Sequence, residues 1–428
     1  MWKRRFIAVL SLTLWTCALA AGEWTVEEVP CCYVISPVPG EAIPAEVQDI
    51  YEAVTGFWLP PGTSPAELAS LWTLNVSPEL LPSPPERALV VLYDDFEGFW
   101  CDVDYFGVAG LFYRDIPDNV LEGPLGAVAR METNVAVLGC IAACCLPTRW
   151  EATLAHELTH MIQSLAGFRV PELGLDPNLV VEGMARWTEH ALGYRSPMEW
   201  DLEREMAAIW VREADGLSSV PLFVVYELGA TLMGALAKRL PPPAILGLFS
   251  RGPHAAEGIP REEFLAGFRE AYGAEWDTFL RSWLAGLRAV GISPAGKLLY
   301  EYRRRGIRPR WSFLWPLLSP EDRAELAEIH ARLYSGAATE ADLARAEAIL
   351  EGVPVAATEE ILEALERRQD SLKRWARIIS GPAAAAEVTR LNIVRLSASP
   401  EEYVRTFVDL VNRYLIFQVP SPFAVTTR

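Results

Sequence analysis

Histidine is scarce in this chain, with five in 428 residues. Positive charge is also short: 38 Lys and Arg stand against 56 Asp and Glu, a formal net charge of −18. An acidic surface of that size excludes nucleic acid and anionic membrane as the main partner. No low-complexity segment is present, and residues 299–428 contain no internal repeat. The longest N-terminal apolar stretch, residues 6–20, falls short of the roughly 20 residues that span a bilayer. What remains is a chain that is 51% hydrophobic, too apolar for extensive disorder, and long enough for two or three cored domains.

The first twenty residues read as an export signal. Lys3, Arg4 and Arg5 precede the apolar run, and Ala18-Leu19-Ala20 supplies a small-residue cleavage site. The expectation is a secreted or periplasmic protein with no stable membrane insertion after cleavage. An uncleaved anchor is the competing reading. Beyond Cys17 the cysteines are Cys31, Cys32, Cys101, Cys140, Cys144 and Cys145, an even number confined to the N-terminal third. In an exported chain that pattern points to disulfides. The C-x₃-C-C spacing lacks the paired C-x₂-C halves of a zinc ribbon. The pairing is not readable from the sequence.

Two of the five histidines lie in one short run, His156-Glu157-Leu158-Thr159-His160, inside an apolar-periodic segment. Residues four apart share one face of an α-helix, about 40° apart around its axis. Two imidazoles on that face can hold one Zn²⁺, with the glutamate between them in reach of a metal-bound water. A third ligand is needed. Glu182, 22 residues after His160 and at the start of the next expected helix, is placed for it. Two antiparallel helices could then face each other across an ion, and Gly183 would let their backbones approach closely. His190, His254 and His330 are isolated and read as surface or packed residues. Trp150, Trp187, Trp200 and Trp210 read as core or cleft-lining aromatics.

Along the chain, short strand patterns are expected at residues 32–36, 88–93, 107–113 and 134–139, and a helix at 45–58. Helices follow at 151–165, 179–191, 200–214, 221–240 and twice within 261–289. The basic run 302–310 reads as a solvated boundary loop. Charged amphipathic helices are expected at 320–335, 340–350, 358–379 and 400–415. The organisation expected is a signal peptide at 1–20, a metal domain at 21–298 and a helical domain at 299–428.

The pair HELTH and EGMARWTE (residues 156–160 and 182–189) resembles the gluzincin metallopeptidases, the thermolysin-like and peptidase MA-like group. The resemblance covers roughly residues 30–290 and includes a weaker Tyr-x-x-Gly match at Tyr226–Gly229. It implies an α+β zincin-type fold, with a small strand-rich N-terminal lobe before a helical lobe. It also implies a Zn²⁺ cofactor held by His156, His160 and Glu182. Glu157 would act as general base on the metal-activated water and pass its proton to the leaving amine. Tyr226 would donate to the developing oxyanion, although it also falls in an apolar stripe with Phe223 and Ala230. Where the group carries an acidic residue four after the third ligand, this chain has Arg186. Glu189, seven after Glu182, is the substitute that could orient a zinc-bound histidine, with an ordinary surface glutamate as the other reading.

The expected function is a secreted zinc-dependent peptidase acting on a peptide or protein substrate. A non-catalytic exported scaffold or partner-binding protein on the same fold is the alternative, and another zinc hydrolase such as an amidase is a third.

Overall fold

The computed structural model describes residues 25–28, 32–36, 42–60, 88–93, 110–113, 136–140, 150–214, 216–250 and 259–417. The expected export signal, His254 and the cysteine side chains expected to form disulfides lie outside the described residues. Five short backbone strands are β1 (Thr25–Glu28), β2 (Cys32–Ser36), β3 (Ala88–Tyr93), β4 (Gly110–Tyr113) and β5 (Ala136–Cys140). Their order is β1-β2-β3-β5-β4. The outer pairs run antiparallel and the inner pairs parallel. Helix α1 (Ala42–Trp58) lies between β2 and β3 in sequence.

The expected α+β fold with a strand-rich lobe is corrected by this architecture: the protein is mostly helical. Sixteen α-helices occupy the described residues, and the strands are only four to six residues long. Val34 and Val90, the two strand side chains described, are both buried. The reason lies in side-chain periodicity. Apolar residues that recur every three to four positions each bury a stripe against a neighbouring helix, and such stripes run through nearly all of residues 150–417. Among the described residues, the interior of 150–417 is built by helices packing on helices, and the Trp150–Leu165 helix also lies against β4 and β5.

Helix α2 (Trp150–Leu165) follows β5 and ends before Gly167, whose φ of 65° suits a glycine after a C-terminus. Helix α3 (Pro177–Ala191) starts where the Asp176 side chain accepts from the Asn178 amide, with Pro177 in the first turn. Helix α4 (Pro197–Glu213) starts at a capping box between Ser196 and Glu199. Helix α5 (Leu222–Leu236) is apolar nearly all round and lies inside the body. The glycines of α3 and α5 meet where these helices cross. A Cβ on Gly183 would stand 2.4 Å from the Gly229 carbonyl carbon, and one on Gly229 would stand 2.2 Å from the Leu179 oxygen. Helix α1 braces α3 from the other side: Trp58 donates its indole N–H to Thr188 Oγ1 at 2.9 Å, and its ring packs on Trp187.

The remaining helices are α6 (Pro242–Leu248), α7 (Arg261–Tyr272), α8 (Trp276–Arg288), α9 (Pro294–Arg304), α10 (Ile307–Leu314), α11 (Pro320–Tyr334), α12 (Glu340–Glu351), α13 (Glu359–Ser380), α14 (Pro382–Thr389), α15 (Leu391–Ser397) and α16 (Pro400–Tyr414). The basic run 302–310 is not a solvated loop. It spans the end of α9 and the start of α10, and Tyr302 and Arg310 are each 1% exposed. The boundary expected at 298 falls inside α9, which packs on α4 and α5. Phe417, beyond α16, packs its ring at a tilt against Phe223 of α5, with ring centroids 5.0 Å apart. One continuous hydrophobic cluster joins the two segments. Among the described residues no helix is long and apolar enough to cross a membrane.

Candidate metal centre

Helix α2 places His156 and His160 one turn apart, their ring centroids 4.8 Å from each other. Helix α3 brings Glu182 across to them. Its Oε2 lies 3.3 Å from His156 Nε2 and 3.4 Å from His160 Nε2. Among the described residues this is the one group of three His, Cys, Asp or Glu side chains close enough to share an ion. The three residues singled out as ligands by sequence spacing do converge.

The opposite nitrogen of each ring is also held. His156 Nδ1 lies 2.7 Å from Glu189 Oε1, and His160 Nδ1 lies 2.8 Å from Gln163 Oε1. Both partners are acceptors, so each ring carries its hydrogen on Nδ1 and turns a bare Nε2 lone pair inward when neutral. Gln163 is fixed in turn by donating to the Val181 carbonyl at 2.9 Å, next to Glu182. The spacing fits zinc. Four donors about 2.0–2.1 Å from one ion in a tetrahedron stand about 3.3–3.4 Å from one another, the separation seen between each Nε2 and Glu182 Oε2.

Burial and mutual charge set the protonation of this cluster. Burial opposes a charged His156, but hydrogen bonds to Glu182 and Glu189 outweigh it and raise its pKa to about 10. His160 is raised as well, against its burial, by Glu182. Burial would raise Glu182, yet His160 and His156 hold it far below the usual carboxylate range. Two imidazoles thus compete for the charge of one carboxylate, a balance that a divalent cation in their midst can replace.

Glu157 stands beside His156 on α2 and is 8% exposed. Burial, the largest influence, pushes its carboxyl above the ordinary value. Tyr226 on α5 packs its ring against His156, centroids 5.7 Å apart. Burial, reinforced by Glu182 and Glu157, pushes its phenol well above 10, so it stays protonated and able to donate.

Behind Glu189 lies a network that the sequence did not reveal. Arg186 donates Nη1 to Glu189 Oε2 at 2.9 Å and grips Glu203 of α4 with Nε at 3.2 Å and Nη2 at 2.7 Å. Arg195 also donates to Glu189. His190 lies 2.8 Å from Glu203, so it is a structural partner and not an isolated ring. Burial notwithstanding, Arg186 and Arg195 hold the Glu189 carboxyl well below its ordinary range. Glu189 is 1% exposed and is not a surface glutamate. Arg186 sits beneath the glutamate that holds His156. Besides Glu189, already marked by its spacing from Glu182, Gln163 carried a sequence signal in its position three residues after His160. Glu203 and Glu227 gave none. His330 is buried, with the Tyr302 hydroxyl 2.9 Å from its Nδ1.

Comparison with known proteins finds no family model, no curated protein and no solved structure that matches this chain.

Proposed function

We propose that this protein is a zinc-dependent peptidase of gluzincin type, exported from the cytoplasm, that hydrolyses peptide bonds. The observation that carries the reading is the double fixation of the histidines. Both Nε2 atoms meet at one oxygen of Glu182, while both Nδ1 atoms are held by side-chain acceptors. A core histidine pair satisfied for packing alone does not need a shared carboxylate at tetrahedral donor spacing. The export part of the reading is supported by Lys3, Arg4 and Arg5 ahead of the apolar run and the Ala18-Leu19-Ala20 site.

His156, His160 and Glu182 would hold the ion. Bound zinc supplies Lewis-acid polarisation of a carbonyl and lowers the pKa of water toward about 7. Glu157, on the same turn as His156, takes the proton of the attacking water and delivers it to the leaving nitrogen. Its burial keeps the carboxyl from being levelled by solvent. Tyr226 stacks along His156 with its phenol protonated, and donates to the oxygen on which negative charge develops. Glu189 and Gln163 hold the two rings so that the ligand geometry is preset and costs little to form.

The test combines metal analysis with hydrolysis of a generic unfolded protein, with and without chelator. One zinc per chain is expected, with chelation abolishing cleavage. Glu157→Gln should keep the zinc and lose about 10²- to 10⁴-fold in rate. Zinc bound with no cleavage in wild type and variant alike would refute catalysis and leave a metal-holding scaffold.

A further inference from the structure

Arg303 is five residues beyond the expected end of the metal domain, in a run that reads as solvated, yet it points into the body. It donates Nη2 to Glu227 Oε1 at 2.8 Å, Nη1 to the Tyr334 hydroxyl at 3.2 Å and Nε to the Phe223 carbonyl at 3.3 Å. Glu227 on α5 is fully buried, and its Oε1 also faces Arg186 Nη2 at 3.7 Å. Arg186 is the guanidinium that holds Glu189, and Glu189 holds His156. Three buried carboxylates, Glu189, Glu203 and Glu227, thus surround Arg186, with Arg195 and Arg303 closing the outside. The three glutamates balance the three arginines in formal charge. Arg186 and the three glutamates are buried, and Arg195 and Arg303 are 13% and 14% exposed at the edge of the network. Removing one member of such a network leaves an uncompensated buried charge, which its neighbours can relieve only by moving.

We propose that Arg303 is a positioning residue for the metal centre, acting through Glu227 and Arg186 on Glu189, and that α9 and α11 are thereby part of the site's support. The inference rests on the zinc reading above. Without Arg303, the second Glu227 oxygen, already without a hydrogen-bond partner, and the first would both be bare. Among the described residues Arg186 is the other cation beside Glu227, and turning its fork toward Glu227 loosens Glu189 and lets the His156 ring rotate. The consequence is that residues 299–428 do not form a module separable from the centre. A contact that displaced α9 would weaken metal binding more than 110 residues away in sequence from any ligand.

The experiment uses Co²⁺ as the probe, on the full-length protein, reading its dissociation constant by chelator competition and its visible d–d band. Arg303→Met should weaken Co²⁺ by about 3- to 30-fold, the size of coupling that packed charge networks carry, and should shift the band. Arg303→Lys, which keeps the charge, should recover part of the affinity. In a Glu227→Gln background Arg303→Met should cause no further loss, because the linking carboxylate is already neutral. Arg310→Met, which removes a buried ion pair with Glu347 elsewhere in the C-terminal helices, serves as the control: lower thermal stability with an unchanged band. Should Arg303→Met fail to fold, the same cycle is run with Arg303→Lys. An unaltered constant and band in the Arg303 variants, or an equal loss with and without Glu227, overturns the inference while the zinc reading stands. A wild type that takes up no Co²⁺ overturns both.

Discussion

Gly183 and Gly229 decide how closely α3 can lie on α5, and replacing Gly183 by alanine sets two physical effects against each other. In a helix interior, alanine is favoured over glycine by about 1 kcal/mol, so helix propensity alone makes Gly183→Ala stabilising. The crossing predicts the reverse. The new methyl would lie 2.4, 2.6 and 2.7 Å from three backbone atoms of Gly229, whereas ordinary contact begins at 3.4 Å. Backbone cannot rotate away as a side chain can, so α3 must retreat by about 1 Å. Overpacking of that kind costs about 1–3 kcal/mol or more, which exceeds the gain in propensity. The net expectation is a loss of up to about 2 kcal/mol in a denaturant titration. The functional effect should be larger than the loss of stability. Glu182 is the adjacent residue, and its oxygen is placed to a few tenths of an ångström against two rings. A misplacement near 1 Å can cost about 10²-fold in rate, and zinc affinity should fall with it. Gly229→Ala should behave alike, since its methyl would meet the Leu179 oxygen at 2.2 Å. A Gly183→Ala protein that is more stable than wild type and binds zinc equally well would refute the close crossing and the ligand placement that depends on it.

Glu189→Gln should leave the fold intact and weaken zinc binding by about 10- to 100-fold, the usual effect of neutralising the partner of a metal-bound histidine; an unchanged affinity would show that the 2.7 Å contact does not orient His156. His330 gives a pH prediction. Burial, reinforced by Arg308, Arg303 and Arg195, holds its pKa well below 6.5, with Tyr302 and Tyr334 as its other neighbours. The folded state therefore binds fewer protons than the unfolded one below pH 6.5, and stability falls with pH at up to about 1.4 kcal/mol per unit from this residue. In His330→Gln the loss of stability between pH 6.5 and 5 should be smaller by that amount; equal slopes in the two proteins would show that His330 is charged in the fold.

The candidate metal ligands were legible because their placement is local in kind. The H-E-x-x-H spacing fixes two rings on one face of a helix by geometry alone, and a Glu-Gly pair one chain reversal later is placed by connectivity. The helices were legible for the same reason, since their apolar period and their proline and serine starts are written in neighbouring residues. The α+β class was not. Strand patterns at 32–36 and 88–93 do correspond to backbone strands, but short strands do not make a strand-rich lobe, and the share of the core that each element fills is a property of packing. The run 302–310 was misread because charge on a sequence signals solvent unless the partners are known. Here Glu227, Glu301 and Glu347 supply them from other elements or other turns.

The sequence by itself determined which side chains could meet a metal ion, because a helix turn places residues four apart whatever surrounds it. Only the tertiary structure decided what holds those side chains still. Glu189, Arg186, Glu203, Glu227 and Arg303 come from four helices spread over more than a hundred residues, and their pairing depends on burial that expels water. No pattern of neighbours along a chain records that.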